Sequence, residues 1–190
     1  LELCRLEPPP SITKLAMESP RGLHIRKPGN YDRGTFKLTV ILAIEAGDPE
    51  IPDGVIGSVT NPRVWARVTT EAGTSAMAYR LFVEHVLNTY DAVANPALHR
   101  TLIHDNLSSH RAPEVYEAVR ERGHRVVCRP PYRPQDGPVE YAINQVCVQL
   151  NKRWTEARDL ESMRTVVEDI IENDINNVDE TFVHCGYIWN

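Results

Sequence analysis

The chain has 190 residues, enough for one well-buried domain but cramped for two. Its hydrophobic content of 42% is ordinary for a globular protein, and its longest aliphatic run, within Leu38–Ile44, is far too short to cross a bilayer. The net charge of −5 counts against a uniformly basic nucleic-acid-binding surface, and four cysteines without CxxC spacing make a zinc site a poor explanation.

The first 20 residues show little organisation. Pro8-Pro9-Pro10 forbids a helix and predicts an extended linker, so we expect an irregular N-terminal segment over 1–20 and one domain over 21–190. Because the first residue is Leu, we expect the sequence to be a fragment of a longer chain. The basic stretch Arg21–Gly34 is either a phosphate-contacting loop or a solvated connector.

Three strands are predicted next. Thr35–Ile44 is rich in β-branched and aliphatic residues, which indicates a central strand buried on both faces. Turn residues follow it, and Val55–Val59 then predicts an antiparallel return strand. A third strand is predicted over Trp65–Val68.

A helix is predicted after these strands. Thr74 or Ser75 would cap it, and it would run through Tyr90. Met77, Leu81 and Val86 are among the apolar residues expected on its buried side, with other apolar positions widening that stripe.

The next segment predicts a strand, a helix and a strand. Thr101–His104 is a short apolar run that ends at Asp105, a helix begins at Pro113, and Arg125–Cys128 forms the second strand. A strand–helix–strand unit requires a crossover, so these two strands should be parallel.

A long amphipathic helix follows. If Gly137 is its cap and Pro138 its first residue, Glu140 lies in the first turn, where the helix dipole favours a carboxylate. Its buried face should carry five apolar residues, Val139, Ile143, Val146, Leu150 and Trp154. A last helix is predicted from about Leu160 to Asn176.

Asp105 and Glu140 are the candidate metal ligands. They have 34 residues between them, yet one ends a strand and the other starts a helix. Carboxylates from separate elements can converge on Mg²⁺, which proteins hold with one or two carboxylates plus waters and phosphate oxygens. Taken alone, Asp105 could also be an ordinary Asx turn, and Glu140 a generic acid at a helix start.

Three motifs together carry a family resemblance. His104-Asp105-Asn106 with the later His110, the run Pro130–Pro134 (PPYRP), and Gly137–Glu140 (GPVE) resemble the DDE transposases of the mariner-like superfamily and their bacterial insertion-sequence relatives. The usual pattern is Asp-Asn after a strand, about 34 residues, then Pro-Pro-Tyr-Ser-Pro-x-x-Asn-Pro-Ile-Glu. This chain departs from it by having Arg133, Gly137 and Val139 in place of the Ser, Asn and Ile. The resemblance extends from roughly Arg21 to Tyr187.

The resemblance implies an α/β, ribonuclease-H-like fold with a mixed central sheet flanked by helices. It also implies a first strand ending in an Asp-Glu pair, which supplies the first catalytic carboxylate. No Asp occurs before Asp32. Glu2 is the nearest candidate by position for this first carboxylate, and Glu7 is the second. A degenerate first strand is the alternative.

The implied activity is metal-dependent cleavage and strand transfer of DNA, with two Mg²⁺ ions for which Mn²⁺ can substitute. Asp105 and Glu140, with Glu2 as the candidate third ligand, would be the catalytic residues. Expected DNA contacts are Arg26, Lys27, Arg33, His110 and Arg133. Expected site-shaping residues are Asn106, Pro131 and Tyr132. Each of these roles has a simpler alternative. The arginines could be solvated, His110 could be an ordinary surface residue, and Asn106 could only cap the following turn.

The charge distribution allows DNA as a partner. Nine acids and two arginines between Glu156 and Glu180 give −7, so the remainder of the chain has a net charge of +2. Five arginines near the proposed site could neutralise phosphates, and these are Arg120, Arg122, Arg125, Arg129 and Arg133.

The sequence also allows two other functions. An element-derived relic would keep the fold and bind nucleic acid without cutting it, because the first carboxylate is missing from its usual place. A protein-interaction scaffold would use the acidic C-terminal helix, although such charge runs are more often solvated faces. The resemblance further implies a homodimer, a separate N-terminal DNA-binding domain, and a nuclear or cytoplasmic location without membrane or secretion.

Overall fold

The computed structural model describes residues 13–18, 23–24, 37–47, 62–70, 73–88, 90, 99–130 and 133–187. Its strands are β1 (Thr13–Glu18), β2 (Leu23–His24), β3 (Lys37–Glu45), β4 (Arg63–Thr69), β5 (Arg100–His104) and β6 (Arg125–Cys128). Its helices are α1 (Ala76–Leu87), α2 (Pro113–Glu121), α3 (Pro138–Lys152), α4 (Leu160–Asn173) and α5 (Val178–His184).

The described strands form one mixed sheet. Its order is β2-β3-β1-β5-β6, and β4 pairs with β3 off this path. β1 runs antiparallel to β3 and parallel to β5, and β5 runs parallel to β6. The predicted crossover unit of two parallel strands joined by α2 is confirmed, and so is the mixed sheet flanked by helices.

β1 occupies the centre of this sheet, and the prediction of an irregular segment over 1–20 is therefore wrong for Thr13–Glu18. Its sequence contains a single β-branched residue, so its strand propensity is weak. Pairing with β3 on one side and β5 on the other outweighs that propensity. The central position that a degenerate first strand would have left incomplete is filled.

β3 is buried on both faces, as its aliphatic sequence predicted. Leu42 and Ile44 face a core formed with α3, α4 and α5. Ile41 and Ala43 face a second core formed with α1 and α2. The third predicted strand is confirmed as β4, which pairs antiparallel with β3. The return strand predicted at 55–59 lies outside the described residues.

The buried face of α1 differs from the predicted one. Ser75 caps the helix, as predicted, and accepts a hydrogen bond from the Ala78 amide. Met77 and Leu81, expected inside, are exposed. The residues that pack inward are Tyr79, Phe82, Val83, Val86 and Leu87. Tyr79 is polar at its tip and was not counted in the apolar stripe, yet it is fully buried beside the strand end at residue 104.

α3 and α4 match the prediction more closely. Val139, Val146 and Leu150 are buried, Ile143 is partly buried against the same core, and the regular helix ends at Lys152, before Trp154. Within the part of the chain that the structure describes, no helix is both long and apolar enough to span a membrane.

Candidate active site at the carboxyl end of the central strands

Asp105 directly follows β5, the strand that lies between β1 and β6. The parallel register pairs Met17 of β1 with His104 of β5. Glu18, the last residue of β1, follows Met17, and Asp105 follows His104. The carboxyl ends of two parallel central strands therefore each carry an acidic residue.

Two groups hold the Asp105 carboxylate. Its Oδ1 accepts a hydrogen bond of 3.0 Å from the Leu107 amide, the Asx turn considered from the sequence, and lies 2.6 Å from His110 Nδ1. Burial alone would raise the pKa of Asp105. The contact with His110, the Leu107 amide and the charge of Arg129 together lower this pKa below its ordinary value. The carboxylate is thus kept ionised.

His110 is a buried residue rather than a surface one. Its ring stacks on Tyr79 with 3.8 Å between centroids, and its side chain is fully covered. The approach of Nδ1 to Asp105 is close but poorly aligned for a hydrogen bond, and Nε2 has no partner among the described residues. Because α1 fixes the ring from behind, His110 orients Asp105, and its burial argues against the predicted DNA contact.

His104 lies beneath this layer. Its Nδ1 is 3.3 Å from the Tyr79 hydroxyl and its Nε2 is 3.4 Å from the Cys128 thiol, so the ring links α1 to β6. Burial, and to a smaller extent the neighbouring His110, lowers the pKa of His104 to about 4. At neutral pH the His104 ring is therefore uncharged.

Glu140 lies in the first turn of α3, as predicted. Gly137 is the N-cap, Pro138 the first helical residue, and the Glu140 amide donates 3.0 Å to the Gly137 carbonyl. The side chain is one-third exposed, and its Oε1 lies 3.8 Å from Nη2 of Arg129. A carboxylate here is favoured by the helix dipole and stays within reach of solvent.

Arg129 connects the two acids. Its amide donates 2.8 Å to the His104 carbonyl, and its own carbonyl accepts a hydrogen bond from the Asn106 side chain. Its backbone is thereby fixed to the residues on either side of Asp105, while its guanidinium extends to Glu140. Both candidate ligands therefore lie around one buried arginine at one end of the sheet.

The remaining predicted residues fall into two groups. Arg133 is exposed and pairs with Asp136 at 2.9 Å. The residues outside the described part of the chain are Glu2, Arg26, Lys27, Arg33, Pro131 and Tyr132. Among the described residues, no group of three or more His, Cys, Asp or Glu side chains is arranged to hold a metal ion.

Two residues of this region were missed or misjudged from the sequence. Glu18 follows a short apolar run, Leu15-Ala16-Met17, in the same way that Asp105 follows Leu102-Ile103-His104, and this parallel could have identified it. Arg129 was grouped with arginines that could neutralise phosphates or be solvated, but only 7% of it is exposed. Its guanidinium occupies the space that a side chain at Gly137 would fill.

A family model described as DDE superfamily endonuclease matches residues 54–164, which include both Asp105 and Glu140. No curated protein matches the sequence. Solved structures that match it share the ribonuclease-H-like fold.

The catalytic domain of Mos1 mariner transposase matches over 91% of this chain and 75% of its own, with a TM-score of 0.59 and 13% identity. The catalytic core domain of BIV integrase matches over 86% of both chains, with a TM-score of 0.52 and 17% identity. A structure of the Mos1 catalytic domain with raltegravir and Mn matches over 91% of this chain and 76% of its own, with a TM-score of 0.56 and 13% identity. Identities this low show the shared fold alone.

Proposed function

The chain belongs to the DDE superfamily endonucleases, and from this premise we propose that it is the catalytic domain of a DNA transposase, which cuts DNA and transfers the freed strand. One observation carries the proposal. The family match includes two acids far apart in sequence, and both lie around Arg129 at the carboxyl end of β5. The Mos1 and BIV relatives, a transposase and an integrase, support DNA as the substrate.

Asp105 and Glu140 fit a divalent ion with hard oxygen ligands. Each carboxylate is partly exposed, which suits Mg²⁺ because this ion keeps several of its waters. Relatives solved with Mn and with Mg support the same metal class. Asp105 and Glu140 would hold such ions, and two of them would supply activation of a water or hydroxyl and stabilisation of the leaving oxygen.

Glu18 is the candidate for the third carboxylate in this proposal, in place of Glu2. Its support is the strand register, in which Met17, the residue before Glu18, pairs with His104, the residue before Asp105. A glutamate can reach a shared ion from a slightly different backbone position than an aspartate, because its side chain is one methylene longer.

The residues around these acids hold them in position. His110 and the Leu107 amide fix one orientation of Asp105, and Tyr79 blocks movement of His110. Glu140 lies in the first turn of α3, where the helix dipole attracts negative charge. Arg133, Arg26, Lys27 and Arg33 remain proposed contacts to backbone phosphates, which set position without reading sequence.

The homodimer and the separate N-terminal DNA-binding domain expected from the resemblance also belong to this proposal.

The test is nicking of supercoiled plasmid with Mg²⁺ or Mn²⁺ by purified protein. We expect activity in the wild type and a loss of at least about a hundredfold in Asp105→Asn, Glu140→Gln and Glu18→Gln. Glu161→Gln is the matched control, because Glu161 is in the first turn of α4 as Glu140 is in that of α3.

Each alternative predicts a different result. Nicking that is equal in all variants would contradict the assignment of these acids. DNA binding without nicking by the wild type would identify a relic that retains the fold. Absence of both would favour the interaction scaffold. A Glu2→Gln variant that loses activity while Glu18→Gln keeps it would return the third ligand to Glu2.

A further inference from the structure

Arg129 is a buried cation among the groups proposed to hold metal. It is 7% exposed, and its Nη2 lies 3.8 Å from Glu140 Oε1. Its backbone is bonded to His104 and Asn106, which flank Asp105. Because the backbone of Arg129 is bonded in this way, a change in the position of its charge requires a change in its side-chain conformation.

Gly137 makes room for this guanidinium. A Cβ at position 137 would lie 1.8 Å from Arg129 Nη1 and 2.6 Å from Cζ, closer than any side chain tolerates. The backbone at Gly137 has φ −104° and ψ 108°, an extended conformation that any residue adopts. A side chain at position 137 is therefore incompatible with the place that the Arg129 guanidinium occupies, and not with the backbone conformation.

We propose that Arg129 is a built-in counter-cation that stabilises Asp105 and Glu140 in the metal-free protein, and that its guanidinium must withdraw from Glu140 before a divalent ion is bound. The inference rests on the proposed function, because it takes these two acids as the metal ligands. Carboxylates gathered at one site repel each other without a cation, and a cation next to Glu140 repels an incoming metal ion. Arg129 is then a positioning residue that sets the metal concentration at which the site is occupied.

Two independent substitutions test this. Arg129→Gln removes the charge, and Gly137→Ala keeps the charge but displaces the guanidinium. We expect both variants to unfold at lower temperature in EDTA than the wild type, and both to bind Mn²⁺ more tightly, by roughly fivefold or more for a charge at this distance in a well-solvated setting. In an Arg129→Ala background, Gly137→Ala should change neither property appreciably.

The Mn²⁺ affinity is measured by the electron paramagnetic resonance signal of free Mn²⁺, and the unfolding temperature by circular dichroism. Arg80→Gln is the control, because Arg80 is a partly exposed arginine of α1 that pairs with Glu84 four residues along the chain. It should alter neither measurement. A purely structural role for Arg129 would lower stability without tightening metal binding.

The outcomes separate this inference from the proposed function. Wild type that binds Mn²⁺ and nicks DNA, together with unchanged or weaker binding in Arg129→Gln and Gly137→Ala, overturns the inference alone. If Asp105→Asn and Glu140→Gln bind Mn²⁺ as well as the wild type does, or if no variant binds it, the proposed metal site fails and the inference fails with it.

Discussion

Replacing His110 with Phe removes one of the two partners of the Asp105 carboxylate and keeps an aromatic ring against Tyr79. The two atoms concerned, His110 Nδ1 and Asp105 Oδ1, are 2.6 Å apart, the imidazole is fully buried, and the carboxylate is 26% exposed. A hydrogen bond to a charged group stabilises a protein by about 1.5–3 kcal/mol net. Because this contact is poorly aligned and partly screened, we expect His110→Phe to lower the unfolding free energy by about 1–2 kcal/mol through this contact.

The assay is a double-mutant cycle measured by urea denaturation at pH 7, with His110→Phe, Asp105→Asn and the double variant. The cycle isolates the contact from the packing change that the Phe ring introduces. The pKa of Asp105 lies below its ordinary value of 3.8. The ionised carboxylate therefore stabilises the fold above pH 3.8, and this contribution is lost as the pH falls through the lower pKa of the folded state.

The result that would refute this reasoning is a coupling energy near zero at pH 7. A coupling that persists unchanged in acid below the folded-state pKa would also contradict it, since the carboxylate is then protonated. As an independent check, His110→Phe should raise the pKa of Asp105, measured from the ¹³C shift of its carboxyl group during a pH titration.

Two further predictions concern the buried groups behind the site. Arg100→Met should lower the unfolding free energy by about 3–5 kcal/mol in urea denaturation. Arg100 Nε lies 2.8 Å from Glu45 Oε1, and the substitution would leave Glu45 buried without this cation. Adding Glu45→Gln should recover part of the lost stability, and no recovery would show that the buried charge is not the cause. Burial lowers the pKa of His124 to about 4, so neutral His124 stabilises the fold above pH 6.5 and this contribution is lost between pH 6.5 and 4. At pH 5 the loss is roughly 1–2 kcal/mol, and His124→Gln should flatten the dependence of stability on pH; an equally steep profile would argue against it.

The parts of the fold that the sequence predicted are those whose local pattern and tertiary position agree. β3 is aliphatic on both faces because both faces are buried, and α3 begins at a Gly-Pro pair that suits a helix start. The strand that ends at Asp105 and the helix turn that carries Glu140 were predicted for the same reason.

The rest depended on contacts between distant segments. β1 is a strand because β3 and β5 pair with it, and its own residues, with one β-branched side chain in six, give only a weak strand signal. Met77 and Leu81 suggested a buried stripe on α1, but the helix turns Tyr79 inward, where its ring stacks on His110. Arg129 resembled any other arginine in the sequence, since its burial depends on the space above Gly137.

The most direct measurement of the central claim is the anomalous X-ray signal of Mn²⁺ in crystals of the wild-type protein. We predict a peak within about 2.0–2.2 Å of a carboxylate oxygen of both Asp105 and Glu140, the distance expected for a small divalent ion. A well-occupied peak elsewhere, or no peak between these two carboxylates at a Mn²⁺ concentration that supports nicking, would contradict the account.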